Sequence, residues 1–423
     1  MEKMKEKIKK FIPSFLIDWY HFSLSFLGAV LYWFPSKKIK IIGVTGTNGK
    51  STTVDLITRI LEEAGHGVAS LSSIKFKIKE KEWPNELKMT MPGRFKIKQF
   101  LRQAVKSGCQ YAVIEVASEG VKQHRHRFID FQVAVFTNLT PEHIEAHGGF
   151  ENYKKAKGSF FRSAKGVHIV NVDDKYADYF LSFPSDKKYA YGINGNPEDK
   201  KWEFIKAEEV SVSKNGACFT VKNIIFNLKL LGEFNIYNAL AAICVGLSQG
   251  IGVETSKKAL EKAEGVAGRM EEVISSPFKV FVDYAFTPNA LEKAYQAIRD
   301  GFNPNKMICV LGSCGGGRDK WKRPVLGGIA EKYCDQVIVT NEDPYDENPM
   351  EIIDQVADGA KSKAEKILDR KEAINKALKS AKPNDVVIIT GKGCEPWICL
   401  ANGKKIPWDD RKTAREEFNK INI

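Results

Sequence analysis

Residues 41–53 read IIGVTGTNGKSTT, and no other run constrains the fold of this chain as strongly. The apolar residues 38–44 predict a strand, and residues 51–64, closed by Gly65, predict a helix. Between them lies a glycine-rich turn. Strand, turn and helix in that order make a phosphate-binding loop. Backbone N–H groups of the turn and the positive end of the helix surround a polyphosphate. Gly46, Thr47, Asn48 and Gly49 would form the cradle, with Thr52 in the first helical turn behind it. Lys50 supplies a point charge to the outer phosphates, and Ser51 can hold Mg2+. The spacing is G-x-x-G-x-x-G-K-S, because Gly43 and Gly49 enclose five residues rather than the four of the strict pattern. The run predicts binding of a nucleoside triphosphate and leaves the fate of the phosphate open.

The 423 residues suffice for two or three domains. Downstream of the loop, short apolar runs alternate with amphipathic stretches. Residues 111–116, 131–139 and 168–172 read as buried parallel strands, and 232–250 as an Ala-rich helix. The pattern breaks around 265–269. A second series then begins, with strands predicted at 279–284, 307–311, 336–340 and 385–390. The fold class expected is therefore α/β: a central P-loop ATPase domain with a mostly parallel sheet, residues 38–266, then a C-terminal Rossmann-like α/β domain, residues 267–423. Polar motifs lie just past the strand ends, the edge where open α/β sheets bind ligands. Motifs on two separate sheets imply a site in a cleft between two domains.

The net charge is +13, and residues 1–40 carry eight Lys against Glu2, Glu6 and Asp18. Such a balance suits acidic substrates, anionic membrane or nucleic acid. No recognition-helix or Arg-Gly-aromatic pattern supports nucleic acid as a partner. No feature points to an obligate protein partner. The eight Cys form no C-x-x-C pair, which argues against zinc and a disulfide framework, and they read as reduced cytoplasmic thiols. Residues 11–34 are apolar and aromatic, flanked by Lys, with no small-residue cleavage site. Pro13, Asp18 and His21 argue against a spanning helix. Two readings stay open for this segment: peripheral membrane contact, anchored by Trp19, Tyr20, Tyr32 and Trp33, or a helical hairpin packed on the protein.

Several residues carry candidate chemistry. Glu115 ends an apolar strand, a costly place for a carboxylate that neither pairs nor binds metal. With Ser51 it could ligate Mg2+, or it could cap a neighbouring turn. His143 follows Asn138 and Thr140 in a polar turn before His147 and suits a metal or nucleotide role. Lys157 lies in YKKAKGSFF, where charge spacing alone gives a solvated lysine. Arg269, beside a glycine at the pattern break, could clamp phosphates. Arg318, Asp319, Lys320, Lys322 and Arg323 follow a glycine cluster and read as an anion site or as a solvent-facing charge run.

The ordered set GVTGTNGKST, EVASEGVKQHRH, NLTPEHIEAHG, NVDD, GEFNIYNALAA, GRME, VDYAFTPNAL, GGGRDKWKRP, NEDPYDENP and TGKGCE resembles the Mur ligase family over about residues 38–415, and within it the MurE branch. The resemblance implies an ATP- and Mg2+-dependent ligase of peptidoglycan precursor synthesis. A substrate carboxylate is phosphorylated to an acyl phosphate, which the amine of an amino acid attacks. By position, Lys50, Glu115, His143 and Lys157 would be catalytic. Ser51, Glu115, His143 and Lys157 would serve magnesium, Lys157 as a carbamylated lysine. Asn138, Asn235, Asn238, Arg269 and Asp283 would join Gly46–Thr52 around the nucleotide. Ser118 and Arg125 would meet the muramoyl-dipeptide acceptor. Arg318, Gly391 and Glu395 would line the pocket of the incoming amino acid, with Glu342, Asp343 and Tyr345.

Departures from the branch are specific. DNPR reads Glu342-Asp343-Pro344-Tyr345, and Tyr345 cannot form the bidentate pair that an arginine gives a distal carboxylate. The acidic pair could instead meet a side-chain ammonium. GKGHE reads GKGCE with Cys394, YAHTP reads YAFTP with Phe286, and EVSSH reads EVASE with Glu119. About 40 residues precede the loop, too few for the uridine-diphosphate-binding domain that family members carry there. The expectation is that this domain is lacking, that the aromatic segment stands in its place, and that the acceptor is lipid-linked or read through its sugar-peptide part. A folylpolyglutamate-synthetase-like ligase, or a non-catalytic partner on the same fold, is the alternative.

Overall fold

The computed structural model describes residues 13–87, 89–195, 202–361 and 364–421. The beginning of the predicted N-terminal segment, residues 1–12, lies outside the described residues. Two compact units emerge. The first comprises Met1–Leu139, Tyr153–Lys206 and Ala239–Ala259, the second Thr140–Asn152, Ala207–Asn238 and Leu260–Ile423.

The first unit is built on β1 (Lys40–Thr45), β2 (Val68–Leu71), β3 (Lys75–Ile78), β4 (Lys81–Pro84), β5 (Tyr111–Glu115), β6 (Phe131–Phe136), β7 (Val167–Asn171), β8 (Lys187–Gly192) and β9 (Glu203–Lys206). Among the described residues their order is β4-β3-β2-β5-β1-β6-β7-β8-β9. The pairs from β2 to β9 are parallel, and β3 and β4 add an antiparallel edge. Central strands such as β5 are buried throughout, which is why they read as unbroken apolar runs. β1 lies at the middle and delivers the glycine turn to the sheet's carboxyl edge.

Helix α1 (Ser14–Leu31) precedes the sheet, and α2 (Lys50–Glu63), α3 (Arg94–Lys106), α4 (Ser118–Lys122) and α5 (Phe150–Ser163) follow in order. α1 is one helix and not a hairpin. Positive φ at Trp33 and Phe34 turns the chain back, and the Phe34 N–H donates to the Ala29 carbonyl at 2.8 Å. Ser25, Gly28 and Ala29 are buried, and Lys98 of α3 donates to Ser25 Oγ at 2.9 Å. No helix among the described residues is long and apolar enough to cross a membrane.

The second unit carries an antiparallel sheet of β10 (Glu208–Ser213), β11 (Gly216–Val221) and β12 (Ile224–Leu228), which the sequence reading did not anticipate. Its larger sheet contains β13 (Glu271–Ile274), β14 (Lys279–Asp283), β15 (Met307–Leu311), β16 (Gln336–Thr340), β17 (Ala364–Ile367) and β18 (Val386–Thr390) in the order β13-β14-β18-β15-β16-β17, with β13 alone antiparallel. Around it are α6 (Pro288–Phe302), α7 (Lys322–Tyr333), α8 (Pro349–Ala360), α9 (Arg370–Ser380) and α10 (Asp410–Phe418). Local signals set the helix starts. Thr287, Asn348, Asp369 and Asp409 each accept an N–H from the first turn, and Pro288 and Pro349 occupy first-turn positions. Buried aliphatics line both sheet faces. Cys309 and Cys334 meet there as a disulfide, with Cα atoms 6.1 Å apart, which overturns the expectation of reduced thiols for this pair.

Candidate functional site

In the first unit the turn after β1 closes around its own backbone. Gly46 has φ 151°, and a Cβ there would lie 1.9 Å from Thr137 Oγ1, so only glycine fits. Gly49, at φ 82°, begins α2. Asn138 braces the turn: its carbonyl accepts from Thr47 N at 2.8 Å, its Oδ1 accepts from Asn48 N at 2.9 Å, and its Nδ2 donates to the Asn48 carbonyl at 3.1 Å. Thr47 Oγ1 lies 3.0 Å from the Tyr153 hydroxyl. Sequence reading missed Tyr153, because nothing near it marks contact with a turn a hundred positions away.

Lys50, Ser51, Glu115 and Lys157 converge here. Ser51 Oγ donates to Glu115 Oε2 at 2.8 Å, and Lys50 Nζ lies 3.8 Å from Glu115 Oε1. Ser73 adds an N–H at 2.8 Å and a hydroxyl at 3.0 Å to the same carboxylate. Glu115 therefore has partners at its strand end, and Ser73 escaped the sequence reading. Lys157, fully buried on α5, donates to the Gly46 carbonyl at 2.7 Å. Burial, and then the positive charge of Lys50, push its amine well below the ordinary lysine range. It is not the solvated lysine that charge spacing gave. Thr52 is buried in the first turn of α2.

Ser118 is buried at the start of α4. Arg125 is held by Gln123 Oε1, at 2.7 Å from one terminal nitrogen, and by the Met91 carbonyl. α1 packs on this segment. His124 Nε2 lies 2.7 Å from Asp18, Ser25 Oγ donates to the Arg127 carbonyl at 3.1 Å, and Phe22 and Phe26 meet Phe128 edge-on.

The second unit gathers the remaining candidates. His143, in a left-handed conformation, places Nδ1 3.5 Å from an Arg318 nitrogen. The basic turn is mostly consumed by internal partners. Asp319 accepts from Ile144 N and Glu145 N, Lys322 pairs with Glu142 at 2.9 Å, and Arg323 pairs with Glu347 at 2.9 Å. Lys322 and Arg323 are buried, so the solvent-facing reading fails for them and the anion reading narrows to Arg318. Asn238 donates to Asn235 at 2.9 Å. Asp283 accepts from Met270 N and Ala285 N at 2.7 Å each, and burial raises its carboxyl above the usual range. The Arg269 guanidinium stacks 4.3 Å from the Tyr284 ring centre, and Phe286 meets the same ring edge-on.

Lys392, quoted in a motif but assigned no role from the sequence, ties the acidic residues together. Its buried ammonium donates to Asp343 at 2.9 Å and Glu395 at 2.6 Å. Tyr284 donates to Glu395 at 2.7 Å, and Cys399 N to Asp343 at 2.7 Å. Glu342 accepts from the Cys314 thiol at 2.8 Å on Oε1, while its buried Oε2 has no hydrogen-bond partner among the described residues. Burial raises the Glu342 carboxyl above its ordinary range. Gly391, at φ 105°, lets that carboxylate approach: a Cβ would stand 2.4 Å from Oε2. Tyr345 N donates to the Cys399 carbonyl at 3.1 Å.

A glycine turn at a strand end, with a hydroxyl, a carboxylate and two lysines gathered on it, fits a protein that handles a nucleotide, and the same chain carries a second α/β unit. Residues 44–246 match the Mur ligase middle domain and residues 268–393 the Mur ligase glutamate ligase domain. The chain belongs to the Mur ligase family and is a ligase. It is 39% identical over 407 residues to the UDP-N-acetylmuramoyl-L-alanyl-D-glutamate–2,6-diaminopimelate ligase of Syntrophomonas wolfei, covering 93% of this chain and 81% of that protein. It is 35% identical over 438 residues to the UDP-N-acetylmuramyl-tripeptide synthetase of a Roseiflexus species, covering 97% and 84%. A solved diaminopimelate ligase superposes with TM-score 0.60 at 28% identity, covering 90% of this chain and 78% of that one. Folylpolyglutamate synthase of Mycobacterium tuberculosis, complexed with ADP and AMPPCP, superposes with TM-score 0.72 at 16% identity, covering 87% and 92%, a likeness of fold.

Proposed function

We propose that the chain is an ATP-dependent, ADP-forming ligase that joins an amino acid to a muramoyl-dipeptide acceptor in peptidoglycan precursor synthesis. The observation that carries this reading is the convergence of Lys50, Ser51, Glu115 and Lys157 on the glycine turn. The γ-phosphoryl group passes to an oxygen of the acceptor carboxylate, and ADP leaves. The amine nitrogen then attacks the acyl carbon, the C–O bond to phosphate breaks, and an amide forms. The turn's N–H groups and Lys50 would offset charge on the migrating group. Ser51 and Glu115 are adjacent oxygen donors, which fits Mg2+, an ion that takes its other ligands from phosphates and water. No three His, Cys, Asp or Glu among the described residues form a metal cage of their own. Mg2+ would supply charge neutralisation there. His143 would serve a second magnesium. A buried Lys157 amine, its proton affinity lowered by burial and by Lys50, suits reaction with CO2, which would convert it to a carbamate beside the loop.

Asn138, Asn235, Asn238, Arg269 and Asp283 would complete the nucleotide contacts, and Ser118 and Arg125 those to the acceptor. Arg318, Gly391, Glu395, Asp343, Tyr345 and Glu342 would surround the incoming amino acid. Asp343 is occupied by Lys392, so the unpartnered Glu342 oxygen is the group suited to a side-chain ammonium. This reading divides the chain into residues 1–37, 38–266 and 267–423. It places the protein in the cytoplasm, with peripheral membrane contact through residues 11–34. Incubation with ATP, Mg2+, UDP-MurNAc-L-Ala-D-Glu and a panel of amino acids tests it, with phosphate release as the readout. Release should require both acceptor and amino acid. Failure with soluble and lipid-linked acceptors alike would favour a non-catalytic partner. Release with a folate acceptor would favour the synthetase-like alternative, against which GRDKWKRP and GKGCE stand.

A further inference from the structure

α1 buries one face and leaves the other in water. Phe15, Trp19, Tyr20, Leu27, Leu31 and the following Trp33 are all exposed, Trp19 at 69% and Trp33 at 76%. A soluble surface carries such residues singly; a contiguous set marks a surface meant for an apolar partner. Where the helix ends, a cavity of about 340 Å³ opens between Leu31, Tyr32 and Trp33 on one side and Arg102, Lys106 and two glutamines of α3 on the other. One wall is apolar and aromatic, the opposite wall cationic. Neither Arg102 nor Lys106 has a carboxylate within ion-pair distance among the described residues, as α1's own acid, Asp18, lies against His124. Lys37, Lys38 and Lys40 are exposed nearby, and the sequence carries five further Lys within residues 1–10.

We propose that the outer face of α1 lies in the interface of an anionic phospholipid bilayer, and that the cavity beside Trp33 takes a lipid phosphate between Arg102 and Lys106. Tryptophan and tyrosine favour the headgroup depth, and basic residues add attraction to anionic lipid. A second copy of the chain would satisfy the apolar residues but would leave this cluster of cations opposed to itself. The site adds a lipid class and a headgroup pocket to the peripheral contact proposed above. Because α1 also holds the segment carrying Ser118 and Arg125, a docked helix would bring the proposed acceptor contacts to the lipid surface. That last consequence rests on the ligase reading; the docking does not.

The test uses the full chain without nucleotide, so failure of the ligase reading leaves it intact. Co-sedimentation is measured with phosphatidylcholine vesicles and with vesicles of equal parts phosphatidylglycerol and phosphatidylcholine. Binding should be at least about tenfold tighter on the anionic vesicles, with a blue shift of tryptophan emission, and should weaken at high salt. Arg102→Gln with Lys106→Gln should remove about tenfold of that preference while the blue shift persists at high lipid. Trp19→Ser with Trp33→Asn should abolish the shift and lower partitioning on both vesicle types, with an unchanged circular dichroism spectrum. Absent binding, equal binding to both vesicles, or a dimer in sedimentation velocity that the tryptophan pair dissolves would overturn the proposal, the last assigning the face to a second copy.

Discussion

The two candidate regions are made in opposite ways. The loop after β1 is shaped by backbone, with positive φ at Gly46 and Gly49 and N–H and carbonyl groups braced by Asn138. The region after β16 and β18 is shaped by side-chain charge, with Asp343, Lys392, Glu395 and Tyr284 locked in one buried network. A backbone cradle can accept any polyphosphate of the right shape. A charge network discriminates, because each buried group left without its partner is costly. On the proposed reading, the first region would meet the reactant common to the family, the second the reactant that differs between members.

The sharpest way to break this contrast is Lys50→Ala. It should leave the fold intact by circular dichroism and reduce phosphate release about a thousandfold, since one preorganised group on a migrating phosphoryl is worth that much. In the second unit, Arg370 and Asp410 form a fully buried bidentate pair, with contacts of 2.8 and 2.7 Å. Asp410→Ala should cost about 3–5 kcal/mol of stability in urea melts, because it strands a buried guanidinium. Glu342→Gln should raise KM for the amino acid about 10- to 100-fold and leave KM for ATP unchanged. Since the Glu342 carboxyl is raised, the wild-type KM for the amino acid should fall as pH rises through that raised value, and the variant should lose this dependence.

The smallest effect concerns Lys98, whose buried amine is lowered to about 7 by burial and then by Arg94. The folded state sheds its proton above that pH while the unfolded chain keeps its own up to the ordinary lysine value. Stability should therefore rise with pH across that window, by about 1.4 kcal/mol per unit, and lie flat below it. Lys98→Met should remove this slope, as seen by comparing urea midpoints of both proteins from pH 7 to 9.

How far the sequence was readable follows the same division. β1, the glycine turn and α2 were legible because their signals are consecutive. β15 and β16 were legible as unbroken apolar runs bounded by polar turns. β10 was not, since its residues are mostly exposed and carry no buried face to detect. The fate of the basic turn at 318–323 was hidden because its partners, Glu142 and Glu347, are far away in sequence. Lys157 looked like a surface lysine until α5 was seen to direct it against the Gly46 carbonyl. Lys392 was in plain view, but a motif does not reveal which acids its lysine unites.

Neither compact unit is a continuous stretch of chain. The first closes only when Ala239–Ala259 joins it, and the second recruits Thr140–Asn152 from within the first's sequence. A ribosome would therefore release the Thr140–Asn152 segment long before the residues it pairs with, Asp319 and Lys322, have been made. During synthesis that polar stretch would wait in solvent, and no single cut in the gene would yield both units whole.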